Sequence, residues 1–426
     1  MNVKYITLGC KVNQYETEAI RELFNRSGYT DFENIKADII VINTCSVTAQ
    51  SDKKAGQTLR RCRKENPQAV IILTGCMVQA FPERSESLKE ADIVIGNTDI
   101  SKILSETEKF LKTKLRIFSV DSHKATDVYN TPLISNFSER TRAYMKIEDG
   151  CDRFCTYCII PYAKGRVRSR SLDEIKKEAE MLALNGFSEI VLVGINLSSY
   201  GKGENFDLAD AVDTVCETEG IKRVRLGSLE PDCISDEMLK RLKAQEKFCP
   251  QFHLSLQSGC DETLKRMNRH YDSKFYEDLV TRIRNMFEDA AVTTDIMVGF
   301  AGETDEEFEK SLSFVKKIGF ARSHIFPYSI RKGTPAEKYP DQIKKEIKAL
   351  RAKKLAEICI KSEEEFLNKL CGRSFDVLFE SKKGNTYEGY TANYSKVFVK
   401  SDEDIRGKIL RVKITEAFSD HCTGIL

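Results

Sequence analysis

The segment Cys151-Asp-Arg-Phe-Cys155-Thr-Tyr-Cys158 spaces three thiols as C-x3-C-x2-C. Thiolates this close can hold three corners of a four-iron, four-sulfur cluster, which normally takes four. With three, one iron keeps an open position for a ligand, as a catalytic zinc does. The alternative is a zinc knuckle, which would want a fourth Cys or His close by, and residues 159–215 contain neither. A second triplet, Cys10, Cys45 and Cys76, is dispersed, but each member follows a strand-like run (LGC, NTC, TGC). In a parallel sheet the carboxyl ends of strands meet at one edge, where ligands bind, so these thiols can converge on a second cluster. Gly9 and Gly75 precede two of them and allow close backbone approach. The competing reading is of buried thiols acting as small apolar side chains. The remaining eight cysteines (Cys62, Cys216, Cys233, Cys249, Cys260, Cys359, Cys371, Cys422) share no geometry, although Cys260 and Cys422 sit in motif-like surroundings.

The elements that must position these thiols follow from hydrophobic patterning. Runs at 3–9, 37–44, 69–75 and 91–97 read as strands, the second by its continuous Ile/Val content. Between the first two, Asn13 with Glu16 three residues on forms a capping-box pattern, and Gly28 follows the helix. Residues 48–65 read as a helix with Ala55, Leu59 and Cys62 on one face. Strands alternating with helices predict a doubly wound parallel sheet. Residues 111–138 read as a polar linker and crossover. Six further strands, at 142–150, 188–196, 222–229, 251–258, 291–300 and 321–329, alternate with helical patterns such as 171–185 and 304–318. They suit a partial, six-unit (β/α) barrel, because a full eight-stranded barrel typically takes about 250 residues. The Cys151 triplet follows the first of these strands, at the edge where barrel active sites lie. A charged helix is expected over 341–369, then a small β-barrel over 373–426 from short strands separated by Gly, Asn and Asp turns. The α/β chain thus divides into domains at 1–115, 137–368 and 369–426.

Composition bounds the rest. The chain has 426 residues, 41% hydrophobic and 31% charged, with 14 Cys, 5 His, no Trp and a net charge of +2. That excludes a globally basic nucleic-acid coat, and the length argues against a secreted disulfide scaffold. The start lacks a signal-peptide pattern, and no apolar run approaches the ~18 residues of a membrane helix. A cytoplasmic protein with reduced thiols and no membrane contact is expected. Charge is uneven, however. Residues 50–64 hold six Lys/Arg against one acid, a net of +5, and residues 140–170 hold eight against three, also +5. Lys164, Arg166, Arg168 and Arg170 recur at every other residue, so in an extended stretch they share one side. Beside the thiol triplet, Arg166, Arg168 and Arg170 are candidates for neutralising RNA phosphates. Gly201-Lys-Gly203 lacks the third glycine of a dinucleotide fingerprint, and neither a phosphate loop nor an HExxH motif occurs.

These motifs resemble the methylthiotransferase family of radical S-adenosylmethionine (SAM) enzymes over essentially the whole chain. LGCKVNQYET (8–17), INTCSVT (42–48) and LTGCMVQ (73–79) resemble the three cysteine motifs of its first domain, and DGCDRFCTYCIIPYAKGRVRSR (149–170) resembles the radical-SAM signature. The resemblance implies two four-iron, four-sulfur clusters, on Cys151, Cys155 and Cys158 and on Cys10, Cys45 and Cys76. The first would bind SAM and, after one-electron reduction, cleave it to a 5′-deoxyadenosyl radical. The second would supply or carry sulfur, and a second SAM the methyl group. The implied reaction replaces the C2–H of an adenosine beside the tRNA anticodon by S–CH3, with a reducing electron donor and a sulfur source as partners. Lys-Val-Asn after Cys10 resembles the threonylcarbamoyladenosine branch, whereas the isopentenyladenosine branch usually reads Gln-Met-Asn and the ribosomal-protein branch Pro-Lys-Asn. A rival of another class is a non-catalytic, zinc-stabilised RNA-binding protein. By resemblance, Tyr157 would lie near the SAM adenine and the Gly194-Ile195-Asn196 run would take its methionine amino group. Ser228, Glu230, Gln257 and Ser258 at strand ends would suit ribose and carboxylate contacts, with Asp295 and Gly299 on the fifth strand. The tail resembles a TRAM domain, usually an RNA-binding module. Over 370–426 it carries nine basic and eight acidic residues, which argues against strong RNA affinity of its own, although Tyr387, Tyr390, Tyr394 and Phe398 could stack on bases.

Overall fold

The computed structural model describes residues 1–32, 34–137 and 141–426. The first domain is a parallel sheet in sequence order: β1 (Val3–Thr7), β2 (Ile39–Thr44), β3 (Val70–Gly75), β4 (Ile93–Ile95) and β5 (Ile117–Ser119). Alternate residues of β2 and β3 feed opposite cores. Ile40, Ile42, Ile71 and Leu73 pack on Ala55, Leu59 and Cys62 of α2 (Ala49–Glu65). Ile39, Val41, Val70 and Ile72 pack on Ile20 and Phe24 and on Ile103 of the helix Lys102–Thr113. Helices therefore cover both faces. β5 lies beyond residue 115, where a linker was expected. It is a three-residue edge strand beside β4, too short to show a pattern in sequence.

Where Asn13 was expected to cap, the helix α1 spans Lys11–Arg26 and Cys10 is its N-cap. The Asn13 amide turns back instead, accepting the Cys10 N–H at 3.3 Å.

The second domain has six parallel strand units in two sheets. One sheet joins β6 (Ala143–Lys146), β9 (Glu189–Val193) and β10 (Arg223–Leu226). The other joins β11 (Ser228–Leu229), β12 (Gln251–Leu254), β13 (Ala291–Val298) and β14 (Arg322–Pro327). β10 and β11 are one strand interrupted at Gly227, which carries the chain from sheet to sheet. β6 and β14 are outer strands of their sheets, so the barrel is open on that side. α1 packs along β6 there, and its Val12, Tyr15 and Ala19 join the barrel core. A two-residue pair, β7 (Glu148–Asp149) with β8 (Arg168–Ser169), clasps the ends of the Cys151 loop.

A 24-residue helix, Lys345–Asn368, leads to a closed barrel in the order β15 (Ser374–Lys383), β16 (Thr386–Thr391), β17 (Lys396–Lys400), β19 (Cys422–Ile425), β18 (Ile409–Ala417). Tyr387 lies fully in its core, and Phe398 packs edge-on against His421 at 4.9 Å. Tyr390 and Tyr394 stack on each other at 4.8 Å under the Arg142 guanidinium, so these two rings are occupied within the protein. Among the described residues, no helix is long and apolar enough to cross a membrane.

Candidate active site

Both triplets sit on strand ends. Cys45 follows β2, Cys76 starts the short helix α3 (Cys76–Ala80) directly after β3, and Cys10 lies one loop beyond β1. Burial pushes the Cys45 and Cys76 thiols up in pKa. Cys76 feels both Cys45 and Cys10, and Cys45 feels Cys10, so the dispersed thiols do stand near one another. Asn13 Nδ2 donates to Asn43 Oδ1 (3.2 Å) and the Thr44 carbonyl (3.3 Å), tying the Cys10 turn to the strand that ends at Cys45. A Cβ on Gly9 would stand 2.4 Å from Asn13 Oδ1 and 2.9 Å from Cys45 Cβ, and one on Gly75 2.4 Å from Asn43 Oδ1. With φ of +136° and +98°, both positions need glycine to let this brace close.

The Cys151–Cys158 loop is pinned from several sides. Thr156 N–H donates to the Met267 carbonyl (3.1 Å) and accepts the Ala336 N–H on its own carbonyl (2.8 Å). Arg269 donates to Cys155 Sγ (3.3 Å) and pairs with Glu230. Burial pushes the Cys151 and Cys158 thiols up to about 12. A bare thiol there keeps its proton, and a bound cation is what makes the thiolate favourable. Among the described residues, no group of three His, Cys, Asp or Glu side chains is arranged to hold a single metal ion.

The candidate SAM contacts separate into groups. Burial pushes the Glu148 carboxyl up, although Asn196 N–H donates to its Oε2 at 2.7 Å. Glu148 Oε1 and Asn196 Oδ1 are buried acceptors without a partner, flanking Gly194, whose missing Cβ would lie 2.6 Å from Glu148 Oε2. Two orphaned acceptors beside a glycine form a fitting cradle for the ammonium of a methionine group. Gly194, Ser228 and Asp295 line a cavity of about 440 Å³ together with Cys10 and Lys11. Asn196 lines a second cavity, of about 420 Å³, with Arg153, Asp232 and His270. Tyr157 packs edge-on against Phe300 at 6.3 Å. Gln257 has a positive φ of 64°, and its backbone bridges β13. Ser258 is buried and accepts the Cys260 N–H at 3.2 Å, the work of a turn.

The arginine alternation does not hold. Arg166 is exposed, but Arg168 pairs with Asp149 (3.4 Å) and Arg170 is fully buried against Glu178 (2.7 Å), accepted also by Tyr15 Oη (3.2 Å). Lys164 is buried as well, on Glu16. The reason is that β8 is only two residues long, so the period of two ends there. Of these four cations, Arg166 is left facing solvent.

Sequence reading missed the contacts that join the two triplets. α3, starting at Cys76, packs against the helix Ile160–Lys164, which starts two residues after Cys158. Glu16 of α1 accepts from both Lys146 (2.9 Å) and Lys164 (2.5 Å). Arg331, after β14, reaches Asp52 (2.9 Å) and Ser46 (2.7 Å), beside Cys45. No local pattern announces such partners. Arg269 could have been suspected only as a cation near the fourth strand. Phe154 and Tyr162, an exposed edge-on pair at 5.8 Å on the cysteine loop, were also overlooked.

A partial parallel barrel carrying a three-cysteine loop at its carboxyl edge, with a cradle beside it, defines a radical SAM enzyme. Residues 145–315 match the Radical SAM superfamily, and residues 2–96 match a family described as uncharacterized protein family UPF0004. The chain is 40% identical to the threonylcarbamoyladenosine tRNA methylthiotransferase MtaB of Bacillus subtilis, over 97% of this chain and 94% of that one. It is 36% identical to MtaB of Aquifex aeolicus (97% and 100%), and 36% identical to a tRNA-2-methylthio-N(6)-dimethylallyladenosine synthase of Caldicellulosiruptor saccharolyticus (97% and 89%). In fold it is similar to the radical SAM methyltransferase TsrM of Kitasatospora setae, with a TM-score of 0.59 at 14% identity, covering 79% of this chain and 73% of that one. The chain belongs to the radical SAM methylthiotransferase family, and its barrel uses SAM and a four-iron, four-sulfur cluster.

Proposed function

We propose that this enzyme converts N6-threonylcarbamoyladenosine at position 37 of tRNA, next to the anticodon, to its 2-methylthio derivative. The observation that carries the reading is the cavity that Cys10, of the first triplet, shares with Gly194, Ser228 and Asp295 on the SAM side. A chamber that joins Cys10 to strand ends expected to hold SAM suits a sulfur insertion, and the substrate follows the names of the MtaB relatives. Cys151, Cys155 and Cys158 would hold one cluster with an iron left open, and Cys10, Cys45 and Cys76 a second. When bound, the cluster and SAM supply the radical chemistry that an unactivated aromatic C–H requires. Arg269 would tune the first cluster through its hydrogen bond to Cys155. Glu148 and Asn196 would orient SAM through its ammonium, which would also restore charge to the Glu148 carboxyl. Arg166 would meet anticodon-loop phosphates, and Phe154 with Tyr162 offers bases a stacking surface. Electrons and sulfur come from external donors.

Anaerobic purification should yield a brown protein with roughly eight irons, from two four-iron clusters; a colourless protein with stoichiometric zinc would refute the reading. Nucleoside mass spectrometry of tRNA from cells with and without the gene should show loss of methylthio-threonylcarbamoyladenosine. Loss of the methylthio-isopentenyl nucleoside instead would move the chain to the other tRNA branch.

A further inference from the structure

The chamber beneath Cys10 is lined by more positive than negative groups. Lys11 and Arg322 line it against the single carboxylate of Asp295, with the His253 and His324 rings beside them. Asp295 is engaged by His253 Nε2 at 3.4 Å, and Arg322 by Glu363 at 3.2 Å. Lys11 has no hydrogen-bond or ion-pair partner among the described residues. It is also the first residue of α1, so the positive end of that helix adds to its charge. An ammonium on the wall of this open chamber, with the Tyr394 ring and, among the described residues, no carboxylate beside it, favours an anionic guest over an apolar one.

We propose that Lys11 is a specificity-determining residue that takes the carboxylate of the threonyl group on the target adenosine. The proposal rests on the substrate reading above and goes further, by naming the side chain that recognises the substrate. The chemistry is complementary: threonylcarbamoyladenosine carries a carboxylate on its N6 arm, whereas an isopentenyl arm would set hydrocarbon against a bare ammonium. SAM also carries a carboxylate: of its cradle, Asn196 lines the second cavity, whereas Gly194 lines the chamber together with Lys11, so SAM binding is measured beside substrate binding. The His253–Asp295 pair stands in the same chamber, where it can meet the threonyl hydroxyl.

The test uses the anaerobically reconstituted full chain and anticodon stem-loops whose position 37 carries threonylcarbamoyladenosine, its carboxylate methyl ester, or isopentenyladenosine. The parent should bind the free acid more tightly than the ester by about 10- to 100-fold, the range for one charge-assisted hydrogen bond. Lys11→Met should erase that preference, and Lys11→Arg should keep it. Equal binding of acid and ester by the parent would overturn the proposal without any variant. So would a Lys11→Met protein that still prefers the acid, or one whose hold on SAM weakens instead, which would assign the ammonium to SAM. In each of these cases, thiolation of threonylcarbamoyladenosine by the parent would leave the functional reading standing, whereas its absence would defeat that reading separately.

Discussion

Glu16 offers the sharpest test of how the two cysteine sites are held together. It is buried on α1, and its carboxylate accepts from Lys146 and Lys164, both fully buried on the barrel side. Glu16→Gln keeps the shape and removes the charge. Two buried ammonium groups would then share Asp149, which already pairs with Arg168. Removing one partner of a buried ion pair costs about 3–5 kcal/mol. The glutamine carbonyl still accepts one hydrogen bond, so we take the lower end, about 3 kcal/mol. For a unit of this size each kcal/mol shifts Tm by roughly 2–4 °C, which gives a fall of roughly 6–12 °C. Anaerobic calorimetry reads the fall directly. Because the same pairs fix α1 and its Cys10 against the Cys158 side, the ratio of thiolated product to cleaved SAM should fall as well. Adding Lys164→Met should recover part of the loss, since it restores the charge balance around Lys146 and Asp149. A Glu16→Gln protein that melts within about 2 °C of the parent with an unchanged product ratio would refute the reasoning.

Other expectations follow from the same geometry. Burial alone would raise the Glu16 pKa, but the ammonium groups of Lys146 and Lys164 outweigh it and hold the carboxyl below its usual range. Its contribution to stability is therefore complete above the unfolded value of roughly 4.3 and disappears as pH falls through the lower folded value; urea unfolding against pH should show an acid limb that Glu16→Gln flattens. Cys155→Ala should abolish SAM cleavage, while Cys45→Ala should retain some cleavage and stop thiolation; equal cleavage by Cys155→Ala and the parent would remove that thiol from the cluster. Gly194→Ala drives a Cβ to 2.6 Å from Glu148 Oε2 and 3.2 Å from Leu197 Cα. Displacement on the scale of 1 Å costs up to about 100-fold, so SAM turnover should drop steeply while the fold persists in circular dichroism. Arg166→Ala should lower the salt slope of tRNA binding by about one unit, whereas Arg170→Ala should leave the slope unchanged and lower Tm.

What could be read in advance was what repeats locally. The Ile/Val runs of β2 and β3 and the glycines before Cys10 and Cys76 placed the thiols at strand ends, and the six barrel strands fell within their expected spans. β5 was hidden in an apparent linker, because Ile117–Ser119 is too short to carry a period. Within the C-terminal barrel, β16 and β19 leave a faint mark in sequence, because Thr386–Thr391 and Cys422–Ile425 mix Thr, Gly and Cys with few apolar residues. Charge misled more than hydrophobicity did. Lys164 and Arg170 look like a basic face, yet their partners Glu16 and Glu178 lie 148 and 8 residues away in sequence. An ion pair across domains leaves no mark on either segment alone. For the same reason Arg331 drew no attention until Asp52 stood beside it.

The C-terminal barrel resembles an RNA-binding module with little basic excess of its own, and its loop after β16, together with β15, has a further role. Arg225 donates to the Ala392 carbonyl (2.9 Å), Arg223 to that of Asp376 (2.6 Å), and Tyr394 enters the wall of the chamber. An open barrel leaks at its side and at its base. Here the side is stopped by a helix from the first domain and the base by this loop from the third. The vessel is thus assembled from three parts, and none of them encloses it alone. Exchanging the C-terminal domain between relatives to alter tRNA choice would also change how well the chamber keeps out water, so such chimeras should lose product through SAM cleavage without thiolation before they lose tRNA.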